Sequence, residues 1–387
     1  MSNTYHLGQG TGPLTGVRVV ELAGIGPGPH AAMILADLGA DVIRVERPGG
    51  AASPISRESD LLTRGRPSVT MDLKDPRGVE TVLRLVEGAD VFLEGMRPGT
   101  TERLGLGPDD CLTRNPRVVY GRMTGWGQDG PLALAAGHDM NYISVAGALH
   151  GLGQVPERPQ FPTNLVGDFG GGSTYLVIGV LAALLESRIS GAGQVVDAAI
   201  VDGTAHLSAM FAGMLAGGSA REERTVNLLD GGAPFYDLYE TADGRHMSVG
   251  ALEPQFYAVL LEKLGLTETA PDRNEPAQWP QLRELFAATF AGKTQAQWTE
   301  IFDGTDACVA PVLPLTEAAE HPHMRARQTY VERDGILQPA PAPRFSRTAA
   351  SLTTGPSEAG AGTRAALQAW GIANVEELIE SGVAVQT

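Results

Sequence analysis

Cysteine is scarce in this chain: only Cys111 and Cys308 occur in 387 residues. That excludes a disulfide framework and suits a reducing cytoplasm, with both thiols expected as small buried apolar groups. Cations are scarce too. Lys and Arg number 29 against 45 Asp and Glu, a formal net charge of −16. Such a balance argues against a surface for nucleic acid or for an anionic membrane. It still allows an anionic small molecule, because a few arginines can make a local positive pocket. Long apolar runs are missing: the longest, residues 175–185, is about half a membrane span and reads as a buried core helix. The N-terminus lacks the basic start and apolar stretch of a signal peptide. There is no internal repeat.

Glycine and proline are abundant, 49 and 26 residues, and they are scattered as punctuation. With 43% hydrophobic and 19% charged residues the chain reads as soluble and globular, and its length suggests two domains. Residues 17–22, 41–46, 68–72, 90–94, 117–120 and 194–199 read as strands. Helices are expected over 31–38, 76–87, 175–188 and 202–215. Strands alternating with helices imply parallel βαβ units in a Rossmann-like α/β domain. The pattern then changes. Residues 234–241 and 246–249, joined by Asp243-Gly244, predict a hairpin, and helices follow over 254–264, 279–290 and 294–302. The expected division is a large α/β domain over 1–216, a linker over 217–228, a small α+β domain over 229–320, and a return to the large domain with a C-terminal tail over 321–387.

Two segments bear on chemistry. Gly137-His138-Asp139-Met140-Asn141-Tyr142 embeds an imidazole in a short polar stretch, and about thirty residues later Gly167-Asp168-Phe169-Gly170-Gly171-Gly172 embeds a carboxylate in glycine. Removing a proton from one side of a carbon and returning it on the other needs two such carriers. The expected reaction is proton abstraction beside a carbonyl. Asp168 at the start of a helix would also suit an N-cap, and the backbone N–H groups of Gly170 to Gly172 would suit a developing oxyanion.

Other motifs fit less well. Gly24 and Gly26 fill two positions of a dinucleotide fingerprint and Glu46 sits where a ribose carboxylate would, but the third glycine is replaced by Pro29. His321-Pro322-His323 has no carboxylate or thiol at metal-ligand spacing, so no metal is expected. Asp168-Phe169-Gly170 matches the kinase tripeptide, without the rest of that set.

Further segments carry a resemblance: residues 22–30, Glu46-Arg47-Pro48, Met71-Asp72-Leu73-Lys74, residues 94–99 and 101–107, Thr124-Gly125-Trp126-Gly127, residues 164–172, 194–199, 229–234 and 253–257. Together with Gly137 to Tyr142 they make the chain resemble the family III CoA-transferase superfamily and, within it, the α-methylacyl-CoA racemases. The resemblance implies an interlocked homodimer of a large Rossmann-like parallel-sheet domain and a small α+β domain, with the active site shared between subunits. It implies inversion of 2-methylacyl-CoA thioesters through an enolate, with His138 and Asp168 as the acid/base pair and Asp139 and Glu253 as supporting carboxylates. It implies CoA phosphate contacts at Arg47, Arg97 and Arg103, through the planar donor fork of arginine. The rest of the CoA path would run along the backbone of Met71, Asp72, Leu73, Lys74, Gly95 and Met96, and past Gly137, Met140, Asn141 and Tyr142 beside the histidine. CoA enters as part of the substrate, and no separate cofactor is implied. A CoA-transferase of the same superfamily would instead use Asp168 as a nucleophile, and His138 is what distinguishes the two. Relative to the family pattern a short extra segment follows Arg47, Met96 replaces an aromatic residue, and the tail after Ser351 has no counterpart. Acyl preference is not encoded in any of these motifs.

Overall fold

A computed structural model describes residues 7–8, 10–50 and 55–387. Most of the expected extra segment after Arg47 lies outside the described residues. The chain forms two compact units. The first comprises Met1–Ala146, Thr163–Leu207 and Arg327–Thr387, the second Gly147–Pro162 and Ser208–Ala326. The expected division at 216 and 217 therefore shifts. Residues 202–215 were expected as one helix, but the chain breaks at Ser208 into Ile200–Leu207 and Ala209–Ala216, and the unit boundary falls at that break.

In the first unit, strands β1 (Arg18–Leu22), β2 (Asp41–Glu46), β3 (Ser68–Met71), β4 (Val91–Glu94), β5 (Val119–Thr124) and β6 (Val195–Ala199) form the large sheet. The order is C-terminal strand, β3, β2, β1, β4, β5, β6. All pairings among β1 to β6 are parallel. Their apolar runs carry little alternation because central parallel strands are covered on both faces. β5 extends beyond the predicted 117–120, through Gly121, where an added Cβ would meet Leu93 Cδ2 at 2.6 Å. Helix α1 (Pro27–Asp37) has proline in its first turn, where the missing N–H costs no intrahelical bond, and helix α2 (Pro76–Glu87) is capped by Asp75, which accepts from Arg77 N–H at 2.9 Å.

The tail after Ser351 belongs to this unit. Helices Thr363–Ala369 and Val375–Glu380 bury Ala366, Leu367, Val375 and Leu378 in the same core as Val69 and Met71. The C-terminal strand Ala384–Val385 then pairs antiparallel with β3, Ala384 opposite Met71.

Asp168 lies inside a π-helix, Leu165–Ser173, that continues as the α-helix Thr174–Ser190. The sequence suggests an ordinary helix beginning near Asp168. The difference comes from the glycines. Gly171 meets Thr204 and the Ile200 carbonyl, and Gly172 meets Ile200 and Pro27, so the wider helix lies directly against Ile200–Leu207 and α1. The continuous helix Leu165–Ser190 is long and apolar enough to cross a membrane by length and composition, which the run at 175–185 does not reveal. One face, including Leu176, Val177 and Val180, packs on the sheet. The other leaves Ile178, Leu185 and Ile189 exposed.

In the second unit β7 (Tyr236–Glu240) and β8 (His246–Gly250) form the expected hairpin, and β9 (Val309–Pro311) adds a third antiparallel strand. Its core is aromatic, with Tyr239 stacked on Phe290 at 5.2 Å and Trp298 against Phe302. Cys111 is buried as expected, but Cys308 is exposed, in a left-handed turn conformation with φ 53°.

Candidate active site

Open parallel sheets bind ligands where the strand order changes direction, at the C-terminal ends of the strands. Here that point lies between β1 and β4. A cleft of about 540 Å³ opens there, floored by Leu22, Leu93 and Met123. The loops after β1, β4 and β5 wall it, and His138, Asn141, Tyr142 and Asp168 line it.

His138 stands at the entry of the helix Asp139–Val145. Its backbone N–H donates to Asn141 Oδ1 at 3.0 Å, and Asn141 N–H donates to the His138 carbonyl at 2.8 Å. This reciprocal cap leaves the imidazole on the cleft side, and the ring is exposed. Tyr142 braces the segment from behind. Its hydroxyl donates to the Gly137 carbonyl and its ring packs edge-on against Trp126, with centroids 4.8 Å apart. A Cβ on Gly125 would overlap the Tyr142 ring, which gives the Thr124-to-Gly127 motif a steric reason.

Asp139 does not face the cleft. It is buried, and its Oδ2 accepts the backbone N–H of Asp168 at 2.6 Å. It is thus an anchor beneath Asp168. Gly167 is required beside it, since an added Cβ would collide with the Asp139 carboxylate. Burial raises the Asp168 carboxyl to about 6, and the Asp139 charge adds to the rise. A hydrogen bond from Asn164, at 3.5 Å, and the influence of His138 act in the opposite direction. A carboxyl poised near neutrality can both hold and release a proton. The remaining expected carboxylate, Glu253, belongs to the second unit, where it precedes the helix Pro254–Leu264 and faces Arg273 and Cys308 electrostatically.

Of the expected CoA contacts, Gly95, Met96, Arg97, Gly137, Asn141 and Tyr142 line the cleft. Arg97 is exposed there, and no ion pair holds it among the described residues. The others lie outside the lining. Arg103 donates to Thr100 Oγ1 at 3.1 Å, and Arg47 Nε donates to the Gly50 carbonyl of its own turn at 2.9 Å. Met71 is fully buried in the sheet core, because β3 is covered on both sides. Asp72, Leu73 and Lys74 form the turn into α2, with Asp72 Oδ1 accepting Lys74 N–H at 2.9 Å. Met140 is exposed away from the lining.

Gly170 to Gly172 lie within the π-helix, and their open faces receive Leu207, Thr204, Ile200 and Pro27. The dinucleotide reading fails at Glu46, which is buried and engaged by Arg44, Arg57 and Ser68, leaving nothing for a ribose. Among the described residues no group of His, Cys, Asp or Glu could hold a metal.

Sequence reasoning missed a buried pair beneath the cleft. Arg122 Nε lies 2.9 Å from Glu94 Oε1 and its Nη1 2.9 Å from Glu102 Oε1, while Glu94 Oε2 accepts Met96 N–H at 2.7 Å. This network fixes the turn that carries Gly95 to Arg97. Its signal was present as charges interrupting otherwise apolar strands.

Gly26 supplies a sharp test of the geometry. It sits at φ 67°, and an added Cβ would stand 3.3 Å from Asp168 Oδ2. Gly26→Ala is therefore expected to displace that carboxylate and lower turnover about 10- to 100-fold. Steady-state kinetics beside a thermal melt check it, and unchanged turnover would refute the contact.

Residues 14–363 match the profile of CoA-transferase family III. The chain is similar to alpha-methylacyl-CoA racemase of Mus musculus, 48% identical over 339 residues that make up 87% of each chain. It is similar to alpha-methylacyl-CoA racemase of Homo sapiens at 44% identity, with 87% of each chain covered. Among solved structures it is similar to a CAIB/BAIF family protein from Brucella suis, with a TM-score of 0.80 and 26% identity, covering 93% of this chain and 100% of that one.

Proposed function

The chain belongs to CoA-transferase family III, and we infer that within it the protein catalyses the α-methylacyl-CoA racemase reaction, interconverting (R)- and (S)-2-methylacyl-CoA thioesters. One observation carries this reading: an imidazole and a carboxyl poised near neutrality line the same cleft.

The chemistry follows from the acidity of a proton beside a thioester carbonyl. One carrier takes the proton from C2. The C–H electron pair moves toward the carbonyl, whose oxygen becomes an enolate oxygen. The other carrier then returns a proton to the opposite face of C2, and the pair on oxygen re-forms the carbonyl. In the reverse direction His138 and Asp168 exchange roles. Each positioned acid or base contributes ~10²–10⁴ in rate, roughly 3–5 kcal/mol of barrier. Stabilisation of the enolate oxygen must supply much of the remainder.

The CoA part of the substrate is the handle. Arg97 at the cleft rim is placed to meet its phosphates. Arg47 and Arg103 are proposed for the same polyanion, each after leaving the local bond it makes in the free protein. We also propose a homodimer. Ile178, Leu185 and Ile189 form an exposed apolar stripe on one helix, the type of surface that association covers.

The test uses one pure epimer of a 2-methylacyl-CoA in D2O, with no free carboxylic acid added. Deuterium at C2 together with the opposite epimer is expected. Transfer of CoA to an added acid, with no label at C2, would replace this reading with a transferase that uses Asp168 as nucleophile.

A further inference from the structure

The π-helix beneath the cleft is tied to α1 by a directional pair of hydrogen bonds. Ser173 is fully buried, and its hydroxyl donates to the Phe169 carbonyl at 3.0 Å. His30 Nδ1 lies 2.6 Å from the same hydroxyl oxygen. A serine hydroxyl has a single proton, already committed to Phe169, so the hydrogen of the second contact comes from His30 Nδ1. The order is His30 N–H to Ser173 O–H to Phe169 carbonyl.

That carbonyl lies at the C-terminal end of the π-helix, where it passes into the α-helix Thr174–Ser190. In an α-helix it would accept the N–H of Ser173, four residues on. Here it accepts the N–H of Thr174, five residues on. The hydroxyls of Ser173 and Thr174, at 3.0 and 2.9 Å, complete its hydrogen bonding. The Phe169 ring lies over the imidazole with centroids 4.2 Å apart. Asp168 is the next residue toward the N-terminus. π-turns are rare, and those that persist need support from their surroundings.

His30 is itself held firmly. Arg66 Nη2 donates to the carbonyl of neighbouring Pro29 at 3.0 Å, and Arg66 Nε lies 2.6 Å from Glu21 Oε2. Arg64 pairs with Asp37 at the far end of α1 at 2.5 Å. Burial, with Arg64 and Arg66 adding to it, holds the imidazole down at about 4, so the ring is neutral and keeps one donor.

We propose that His30 and Ser173 act as a positioning pair, holding the π-helical register that presents the Asp168 carboxylate to the cleft. Neither lines the cleft, so neither is catalytic. The proposal rests on the proton-transfer reading above. Loss of the pair lets the turn relax toward α geometry, which rotates Asp168 about the helix axis.

Ser173→Ala and His30→Phe test it, the second keeping an aromatic ring over Phe169 while removing the donor. Each is expected to lower inversion kcat about 10- to 100-fold, with KM changed less than about twofold because CoA contacts are untouched. The double variant should be no worse than the more impaired single variant, since the two residues act as one unit. Deuterium uptake by the epimer whose C2 hydrogen faces His138 should persist, because that carrier has not moved. Inversion within about twofold of wild type in both variants would overturn the proposal. So would an equal loss of exchange from both epimers accompanied by a collapse in melting temperature, which marks a merely structural role. An inactive wild type would instead sink the racemase reading, a distinguishable outcome.

Discussion

Asp168→Asn will abolish most inversion while making the protein harder to unfold at alkaline pH. The loss of rate follows from removing one of two proton carriers, about 10²–10⁴-fold. The gain in stability follows from where that carboxyl sits. Its folded-state value of about 6 lies above the ordinary aspartate value of 3.8. Between those values the folded protein binds a proton that the unfolded chain releases, so stability falls as pH rises through that window. Above pH 6 the folded state carries a charge that burial and Asp139 disfavour. Asparagine removes that cost. The melting temperature should rise on the order of 2 °C at pH 8, modest because Asp168 is only partly buried and solvent screens it. The difference should shrink toward pH 4. A variant that melts lower than wild type at pH 8 but not at pH 4 would show that the carboxylate is stabilised in the fold, contrary to this account.

His138→Ala should cost inversion a similar factor, about 10²–10⁴, yet it should not silence the site. Asp168 can still remove and return the proton on its own face, so one epimer should go on incorporating solvent deuterium without inverting. In Asp168→Asn the opposite epimer should do so. This crossed pattern needs carriers on two faces of one carbon. NMR of C2 deuteration, with chiral separation of the thioesters, reads both quantities. Undiminished inversion by His138→Ala would end the two-carrier scheme.

Much of this arrangement could be read from the chain. The strands announced themselves as apolar runs, and His138 and Asp168 stood out once the segments around them were read together with the family resemblance, since alone an aspartate there would suit an N-cap equally well. What escaped reading depended on distant partners. The resemblance implied Asp139 as a supporting carboxylate, and only the fold shows that the helix it opens turns it inward to the backbone of Asp168. The π-helix has no composition signature; it is selected by the glycine contacts with Thr204, Ile200 and Pro27 and by hydroxyls at Ser173 and Thr174. The burial of the Met71 side chain in the core also depends on partners far along the chain, among them Ala366 and Leu367. The break at Ser208 falls in a run of small and apolar residues whose helical periodicity continues past it, so nothing local marks the place where the chain changes unit.

The antiparallel pairing of Ala384 with Met71 has a consequence for biosynthesis. A ribosome makes the inner partner roughly 300 residues before the outer one, and at ~5–20 residues per second β3 waits about 15–60 s with its flank bare. An unpaired flank of this kind invites pairing with other nascent chains. Messages cut short before codon 384 should therefore yield products that collect in inclusion bodies, even when every residue lining the cleft has been translated.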